Sequence, residues 1–325
     1  MKTIIISHES DVDGIFSASI ALMRFPQAKT LFTSYGQENF LRISQILYNE
    51  IISNPEKGQV IISDLGLNDD IIDLFEEVFT FLKSNLWTVV WIDHHPWSER
   101  AIKSATEKGS VQLFLDNSEK KCATEVMYEK YLKGNFIAEE LSKIAHTTDF
   151  FTKDQDIPPI SELIIYYKTF PDFYARISKL TGNVAKGILW NTEMQKDYDQ
   201  FIIQSNKAKE DTLKNLDNFE TKGGIKISLA VTSPYIQISM FSEDVFKKTN
   251  ADVAFFLNGE GKISIRRNND NIQCNEIAKQ LLEGGGHKFA AGGKIKSDPQ
   301  NKQQVINELK NAVENATNIA NINNK

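Results

Sequence analysis

The chain has 325 residues, of which 41% are hydrophobic and 25% charged, which is an ordinary composition for two globular domains. Its net charge of −6 argues against a protein that coats long nucleic acids, and its two cysteines, Cys122 and Cys274, lack the spacing of a thiolate zinc site or a disulfide framework. No apolar run reaches the roughly 18 residues of a membrane span, and the N-terminus lacks a signal peptide, so we predict a cytoplasmic protein.

Charge is unevenly divided along the chain. From Thr221 onward there are 14 Lys and Arg against 10 Asp and Glu, whereas the preceding residues have 23 against 33. An acidic front part and a mildly basic back part would suit a division into cation-binding and phosphate-binding regions. Surface charge without a functional role accounts for the same numbers equally well.

Short apolar runs alternate with helical spacing in the first half of the chain. The runs predict buried parallel strands, and the helical spacing is typical of Ile15, Ala18 and Leu22. Alternation of this kind predicts an α/β fold with a doubly wound, mostly parallel sheet, which binds ligands beyond the carboxyl ends of its strands. The predicted strands are Thr3–Ile6, Val60–Ile62, Val89–Ile92 and Leu113–Leu115.

The second half has a different pattern. Residues 187–220 are rich in charged side chains with a thin apolar stripe, which predicts a helical linker between a domain of residues 1–186 and a smaller α/β domain of residues 221–325. In the smaller domain we predict a helix over Cys274–Glu283 and a last helix after Asn301. The predicted strands there are IKISLAV, VAFFLN, KISIRR and GGKIK.

Acidic and imidazole side chains follow the predicted strands of the first domain or lie on a later helix. Carboxylates that meet at one sheet edge repel one another unless cations are bound between them. Mixed nitrogen and oxygen ligands favour two divalent ions, with Mn²⁺ as the first choice and Mg²⁺, Co²⁺ or Zn²⁺ as rivals. The side chains concerned are His8, Asp11, Asp13, Asp64, Asp93, His94, His95 and Asp149.

Each of these residues has a purely structural interpretation as well. Aspartates are common helix caps and turn residues, and His95 or His146 could be packed rings. The glycine run at residues 284–286 could be a flexible turn. Trp87, Trp91 and Trp97 surround the third acidic segment, where core packing is favoured over base stacking.

The segments HESDVDG, ISDLG, IDHHP and HTTDFF resemble, in this order, the four motifs of the DHH phosphoesterases. The segment SIRR followed by GGGHKFAAGG is similar to the DHHA1 substrate-binding domain of RecJ-type exonucleases, nanoRNases and cyclic-dinucleotide phosphodiesterases. The resemblance covers roughly residues 1–300. It implies a catalytic DHH domain joined by a helical linker to a smaller α/β DHHA1 domain.

Carried over by motif position, the resemblance implies two metal sites that share Asp64 as a bridge. Asp93 would orient a neighbouring ligand, and His95 would face the scissile phosphate and stabilise its charge. HESD has two residues between histidine and aspartate, where many relatives have three or one. The implied ligands are His8, Asp11 and Asp64 for one ion, and Asp13, Asp64, His94 and Asp149 for the other.

The resemblance also implies a substrate-binding set in the second domain. The backbone amides of Gly284, Gly285 and Gly286 would approach a phosphate or nucleotide closely, because these residues have no side chains. Arg266 and His287 would add hydrogen bonds to phosphate oxygens. For His146 three interpretations stay open: a residue behind the metal ligands, a phosphate contact, or a buried histidine.

Taken together, these observations predict a metal-dependent phosphodiesterase that cleaves single-stranded or short nucleic acid exonucleolytically through a hydroxide activated by two metals. A close rival is a phosphodiesterase or phosphatase of small substrates, such as pApA-type dinucleotides, nanoRNA or 3′-phosphoadenosine phosphate. A third interpretation is an inactive scaffold that binds nucleic acid. The predicted partners are single-stranded DNA or RNA, or short oligonucleotides, and no membrane. A homodimer and replication or repair proteins stay open as partners.

Overall fold

The computed structural model describes residues 2–53, 56–116, 118, 120–150 and 159–323. Contacts divide the chain into two compact units, residues 1–195 and 196–325. One long helix, Thr192–Lys214, occupies most of the predicted linker and runs through the boundary between the units. Within the described part of the chain, no helix has the length and apolar character needed to cross a membrane.

The first unit is built on a five-stranded sheet in which all neighbouring strands are parallel, in the order β2-β1-β3-β4-β5. Runs of β-branched residues explain the central strands, because such residues pack well on a pleated surface buried on both faces. The α/β architecture with a parallel sheet is therefore confirmed. The strands are β1 Lys2–His8, β2 Lys29–Thr33, β3 Gly58–Ser63, β4 Thr88–Asp93 and β5 Gln112–Leu115.

Helices cover both faces of this sheet. Ile4 and Ile6 pack in one core with residues of α2 and α3, while the alternate residue Ile5 is buried on the opposite face, where α1 contacts β1 and β3. The helices are α1 Val12–Arg24, α2 Gln37–Ser53, α3 Ile72–Ser84, α4 Glu99–Lys103, α5 Ala123–Tyr131, α6 Phe136–Asp149, α7 Ile160–Tyr167 and α8 Phe173–Val184. Short 3₁₀ and π turns lie at Asp69–Ile71 and Ser104–Lys108.

The tryptophans near the third acidic segment belong to the core. Trp87, Trp91 and Trp97 are 3%, 1% and 8% exposed, so the prediction of core packing is confirmed. The ring nitrogen of Trp91 donates a hydrogen bond to the Leu65 carbonyl oxygen at 2.8 Å. Its ring also packs against Trp97 with an edge-to-face geometry, at 4.8 Å between ring centroids. These contacts hold together the segments that follow β3 and β4.

The second unit contains a six-stranded sheet in the order β10-β11-β9-β8-β7-β6. Only the β7–β8 pair is parallel, and the remaining pairs are antiparallel. The strands are β6 Asp217–Glu220, β7 Lys226–Val231, β8 Val253–Leu257, β9 Lys262–Arg267, β10 Leu282–Gly286 and β11 Ala290–Lys294. The helices are α9 Thr192–Lys214, α10 Ile238–Thr249, α11 Cys274–Ala278 and α12 Lys302–Asn323.

The predicted helix over Cys274–Glu283 is too long. It ends at Ala278, and the glycine run is not a turn but part of the strand β10, which pairs with β11. Glycine is a poor helix former, and here its lack of a side chain has a packing reason. A Cβ atom built on Gly284 would lie 1.7 Å from the Ala278 carbonyl oxygen, so only glycine allows β10 to approach the end of α11 this closely.

This packing generates a stability prediction. Gly284→Ala should lower the free energy of unfolding by about 2–3 kcal/mol, because the added methyl group forces the strand away from α11. Gly285→Ala is the matched control, because a Cβ atom there meets nothing within 4 Å, and its effect should stay below about 1 kcal/mol. Urea denaturation followed by circular dichroism measures both. Equal destabilisation by the two substitutions would contradict the assigned contact.

Candidate metal centre

The sheet of the first unit brings three acidic segments to one edge. β1 ends at His8, β3 ends immediately before Asp64, and β4 ends at Asp93, which is followed by His94. β3 lies between β1 and β4, and all three strands run in the same direction. Their carboxyl ends therefore meet, as expected for the ligand-binding edge of a parallel sheet.

Asp64 lies at the middle of this edge and is only 2% exposed. Its backbone has a φ of +54°, an uncommon conformation that aspartate and asparagine tolerate better than most residues. Among the described residues, its Oδ2 atom is buried without a hydrogen-bond partner. Burial, followed by the charges of Asp11 and Asp13, raises the pKa of Asp64 well above its ordinary value. An unpaired buried carboxylate oxygen of this kind is a ready ligand for a cation.

His8 and Asp11 form a close pair beside Asp64. The His8 Nδ1 atom lies 2.7 Å from Asp11 Oδ2 and 3.6 Å from Asp64 Oδ2. Burial opposes the charge on His8, but the hydrogen bond to Asp11 and the negative charges of Asp11 and Asp64 outweigh it and raise the His8 pKa to about 10. Burial likewise opposes ionisation of Asp11, yet His8 and the Gly14 N–H lower the Asp11 pKa to about 2. Asp11 also caps α1, because its Oδ1 accepts the Gly14 N–H at 3.0 Å.

Asp13 is held by the first turn of a helix that lies far away in the sequence. Its Oδ2 accepts the backbone N–H of Ala123 and its Oδ1 accepts that of Thr124, both at 2.8 Å. The Thr124 hydroxyl donates to Oδ1 at 2.6 Å. The N-terminus of α5 therefore compensates part of the negative charge of a carboxylate that is 2% exposed.

His94 lies among three carboxylates. Its Nε2 atom is 3.5 Å from Asp64 Oδ1 and 3.6 Å from Asp13 Oδ2, and its Nδ1 atom is 3.8 Å from Asp149 Oδ2. Asp149 is the last residue of α6, and burial followed by the charge of Asp13 raises its pKa to about 6, although His94 acts in the opposite direction. Phe151, the last residue of the HTTDFF segment, lies outside the described residues.

His95 is oriented by a different set of contacts. Its Nδ1 atom lies 2.8 Å from Asp93 Oδ1, and the Trp97 ring nitrogen donates to Asp93 Oδ2 at 2.6 Å. Asp93 is fully buried, so its carboxylate fixes the orientation of the His95 ring from the protein interior. The Tyr35 hydroxyl lies 3.2 Å from His95 Nε2 and also accepts the Gly66 N–H at 3.4 Å.

Tyr35 is a residue of this site that was not predicted from the sequence. Burial, followed by the charges of Asp64 and Asp93, raises the pKa of its hydroxyl, so the phenol keeps its proton. Tyr35 follows β2, which ends at Thr33 and was also not predicted. A tyrosine two residues after a recognised strand end would have been a usable signal.

His146 lies apart from these carboxylates in its described contacts. Its Nδ1 atom is 2.8 Å from Glu125 Oε2, and the same oxygen accepts the Cys122 N–H at 2.9 Å at the start of α5. Its ring also packs on Phe150. These contacts tie α6 to the helix that holds Asp13, and the role of His146 in the site stays a prediction.

The donor set fits divalent cations. Two ligand atoms of one octahedral Mg²⁺- or Mn²⁺-like ion lie about 3 Å apart, so separations of 3.5–4.0 Å between imidazole nitrogens and carboxylate oxygens need only small movements to share an ion. Among the described residues, two groups offer ligand atoms within 4.8 Å of one another, and both contain Asp64. They are His8, Asp11 and Asp64, and Asp64, His94 and His95.

These groups coincide only in part with the implied ligand sets. The first group holds the three residues implied for one ion. The second contains His95, which the resemblance assigns to the phosphate, and lacks Asp13 and Asp149, whose nearest described imidazole contacts are the 3.6 and 3.8 Å approaches to His94. The division of ligands between two ions therefore stays a prediction.

The implied substrate-binding residues of the second unit lie around one hairpin. Arg266 in β9 pairs in register with Ala290 in β11, and the His287 N–H donates to the Ala290 carbonyl oxygen at 2.8 Å. Burial lowers the pKa of Arg266, whose Nη1 donates to the Ile265 carbonyl oxygen. The exposed His287 ring stacks parallel to Phe289 at 5.4 Å. The hairpin and the neighbouring strand β9 thus bring the Arg266 guanidinium, the His287 imidazole and the open backbone of Gly285 to one end of the sheet.

Comparisons with known proteins agree with this architecture. The family model of the DHHA1 domain matches residues 235–315. A 3′,5′-cyclic-nucleotide phosphodiesterase of Helicobacter pylori is 23% identical in an alignment that covers 91% of this chain and 93% of that protein.

Solved structures are similar over almost the whole chain. A structure described as the DHH domain of a member of a ribosomal protein family has a TM-score of 0.62 at 18% identity, covering 96% of this chain and 86% of its own. The pGpG-specific phosphodiesterase PggH of Vibrio cholerae has a TM-score of 0.56 at 11% identity, covering 97% and 100%. At these identities the similarity shows the fold. The chain combines a DHHA1 domain with the fold of DHH-domain proteins, so the resemblance predicted from its motifs is confirmed.

The His8–Asp11 pair generates a pH prediction for the protein stripped of metal with EDTA. The folded-state pKa of His8 is raised from 6.5 to about 10, so its contribution to stability is complete below pH 6.5 and is lost as the pH rises through about 10. Asp11→Asn keeps a good helix cap but removes the charge that holds the proton on His8.

Between pH 6.5 and 10, the free energy of unfolding should therefore fall by about 2 kcal/mol more in the wild type than in Asp11→Asn. Urea denaturation at several pH values measures the difference. Parallel pH profiles for the two proteins would show that this pair is not coupled as described.

Proposed function

We propose that the protein is a divalent-metal-dependent phosphodiesterase that hydrolyses small nucleotide substrates, in particular dinucleotides and very short single-stranded oligonucleotides. The observation that carries the proposal is Asp64, a buried carboxylate with an unpaired oxygen that stands between His8 and His94. A side chain in that setting is costly to keep unless it binds a cation.

One ion would be held by His8, Asp11 and Asp64. The second ion would be held by Asp13, Asp64, His94 and Asp149. Bound divalent ions would supply Lewis-acid chemistry, which lowers the pKa of a water molecule and neutralises phosphate charge. The protein's own part is to fix these ligands. The α5 N-terminus orients Asp13, and the α1 cap orients Asp11.

His95 is proposed to contact the scissile phosphate. We infer that the His95 Nδ1–H donates a hydrogen bond to Asp93 Oδ1, which lies 2.8 Å away. Nε2 then faces Tyr35 and the opening of the site, where the His95 side chain is 36% exposed. We infer that Tyr35 positions His95, and that a phosphate oxygen would approach the ring from the exposed side.

The second unit is proposed to bind the nucleotide through Arg266, Gly284, Gly285, Gly286 and His287. Gly285 has open space above it, so its backbone is accessible to a ligand. Arg267 is a weaker candidate, because it is engaged with Asp270 at 3.0 Å. A guanidinium without a described carboxylate partner, as in Arg266, suits phosphate recognition better.

Small substrates are favoured over long strands for two reasons. The chain is acidic overall, whereas a path for a long single strand is normally basic. Two of the similar proteins are named for small substrates, pGpG in one case and 3′,5′-cyclic nucleotides in the other. The relative from Helicobacter pylori makes hydrolysis of 3′,5′-cyclic nucleotides the second candidate function. Exonucleolytic action on longer strands stays a prediction.

One substrate panel tests the proposal. The purified protein with Mn²⁺ is incubated with dinucleotides, 3′,5′-cyclic AMP and GMP, and end-labelled DNA and RNA of up to about thirty nucleotides, a range that brackets single-strand site sizes. We expect dinucleotides to be cleaved at least about tenfold faster than the longest strands. EDTA should abolish cleavage, and Asp64→Asn should reduce it by about 100-fold or more.

The matched control is Asp73→Asn, which removes an exposed carboxylate that pairs with Arg100 on the surface. It should retain wild-type rates. Faster cleavage of cyclic nucleotides than of dinucleotides would favour the second candidate. A metal-loaded protein without activity on every substrate would reject the proposed function and favour the scaffold interpretation.

A further inference from the structure

Lys168 reaches the loop that carries the first acidic motif. It directly follows the last residue of α7, and its Nζ donates a hydrogen bond to the Ser10 hydroxyl at 2.7 Å. Ser10 lies between His8 and Asp11 in the sequence, so the ammonium group is held at the loop that joins these two candidate ligands. The contact joins residues 158 positions apart and is made within the first unit.

The ammonium group has a neutral partner there. In the described part of the chain, Lys168 makes no ion pair, unlike Lys121, which contacts Glu129 at 2.8 Å. Partial desolvation lowers the pKa of Lys168, while the charges of Glu9 and Asp11 act in the opposite direction. The Ser10 hydroxyl oxygen accepts a hydrogen bond from one of the three ammonium N–H groups, which leaves two N–H groups that can donate to an anion.

The charge balance of the centre indicates what that anion is. With two divalent cations bound, the charges of Asp11, Asp13, Asp64 and Asp149 would be cancelled. The centre itself would then have no positive charge left for a second phosphate group on the same substrate. A neighbouring cation would supply it, and in the first unit Lys168 contacts the loop that carries His8 and Asp11.

We propose that Lys168 binds a second, non-scissile phosphate group of the substrate and thereby selects dinucleotides that carry a terminal phosphate. This inference rests on the proposed phosphodiesterase function. Ser10 positions the ammonium group, and Lys168 is a substrate-binding residue rather than a catalytic one.

The test compares three synthetic dinucleotides, ApA without a terminal phosphate, pApA with a 5′-phosphate and ApAp with a 3′-phosphate. For each, kcat/KM is measured with Mn²⁺ in the wild type and in Lys168→Ala. The wild type should prefer one of the phosphorylated substrates over ApA. In Lys168→Ala that preference should fall about 10- to 100-fold, the loss expected for a charge-assisted hydrogen bond to phosphate.

Two further variants separate binding from structure. Lys168→Arg keeps the charge and should retain most of the preference, whereas Lys168→Gln keeps the length without the charge and should lose it. The matched control is Lys83→Ala. Lys83 also donates to a serine hydroxyl, that of Ser110, at 3.2 Å. It lies near the end of α3, which leads into the start of β4 and not into its carboxyl end. The preference for a phosphorylated dinucleotide should therefore be unchanged in Lys83→Ala.

Each outcome has a definite meaning. The inference is overturned if the wild type cleaves all three dinucleotides equally, if Lys168→Ala and Lys168→Gln keep the preference, or if they lose activity on all three substrates equally. In those cases the phosphodiesterase function stands. A wild type that cleaves none of the dinucleotides rejects the proposed function and the role of Lys168 together.

Discussion

The repulsion among carboxylates at one sheet edge is the constraint on which the rest of the first unit depends. Asp13 and Asp64 are each 2% exposed, and Asp11 and Asp149 lie close enough to influence their neighbours electrostatically. Burying several like charges together is strongly unfavourable unless other groups compensate them. Much of the surrounding architecture can be understood as that compensation.

The compensation comes from three sources in the chain itself. His8 carries positive charge against Asp11 and Asp64, the N-terminus of α5 donates to Asp13, and His94 lies between the remaining carboxylates. It is incomplete, because one oxygen of Asp64 has no described partner. An incomplete balance is what a cation-binding site requires, since a fully satisfied cluster would gain nothing from a metal. The same balance explains why a second substrate phosphate would need a separate cation such as Lys168.

The sequence predicts the centre of the first unit well, because β1, β3 and β4 are uninterrupted apolar runs and the chemical residues follow directly at their ends. It does not predict β2 or β6, which are short edge strands with polar residues, and Tyr35 was missed together with β2. Contacts such as Thr124 with Asp13, 111 positions apart, depend on tertiary packing and leave no local signal. The strand β10 was mistaken for the end of a helix and a turn, because the fit of Gly284 against Ala278 is not visible in one dimension.

Asp64 is expected to destabilise the metal-free fold and to stabilise the metal-bound one. Thermal unfolding of the wild type and Asp64→Asn at a pH of about 7.5, with EDTA and with excess Mn²⁺, tests this directly, because asparagine tolerates the positive φ of this residue. We predict that Asp64→Asn melts at or above the wild type in EDTA, and that Mn²⁺ raises the wild-type Tm by about 5–10 °C but leaves the variant nearly unchanged. An equal rise in both proteins, or none in the wild type, would contradict the account.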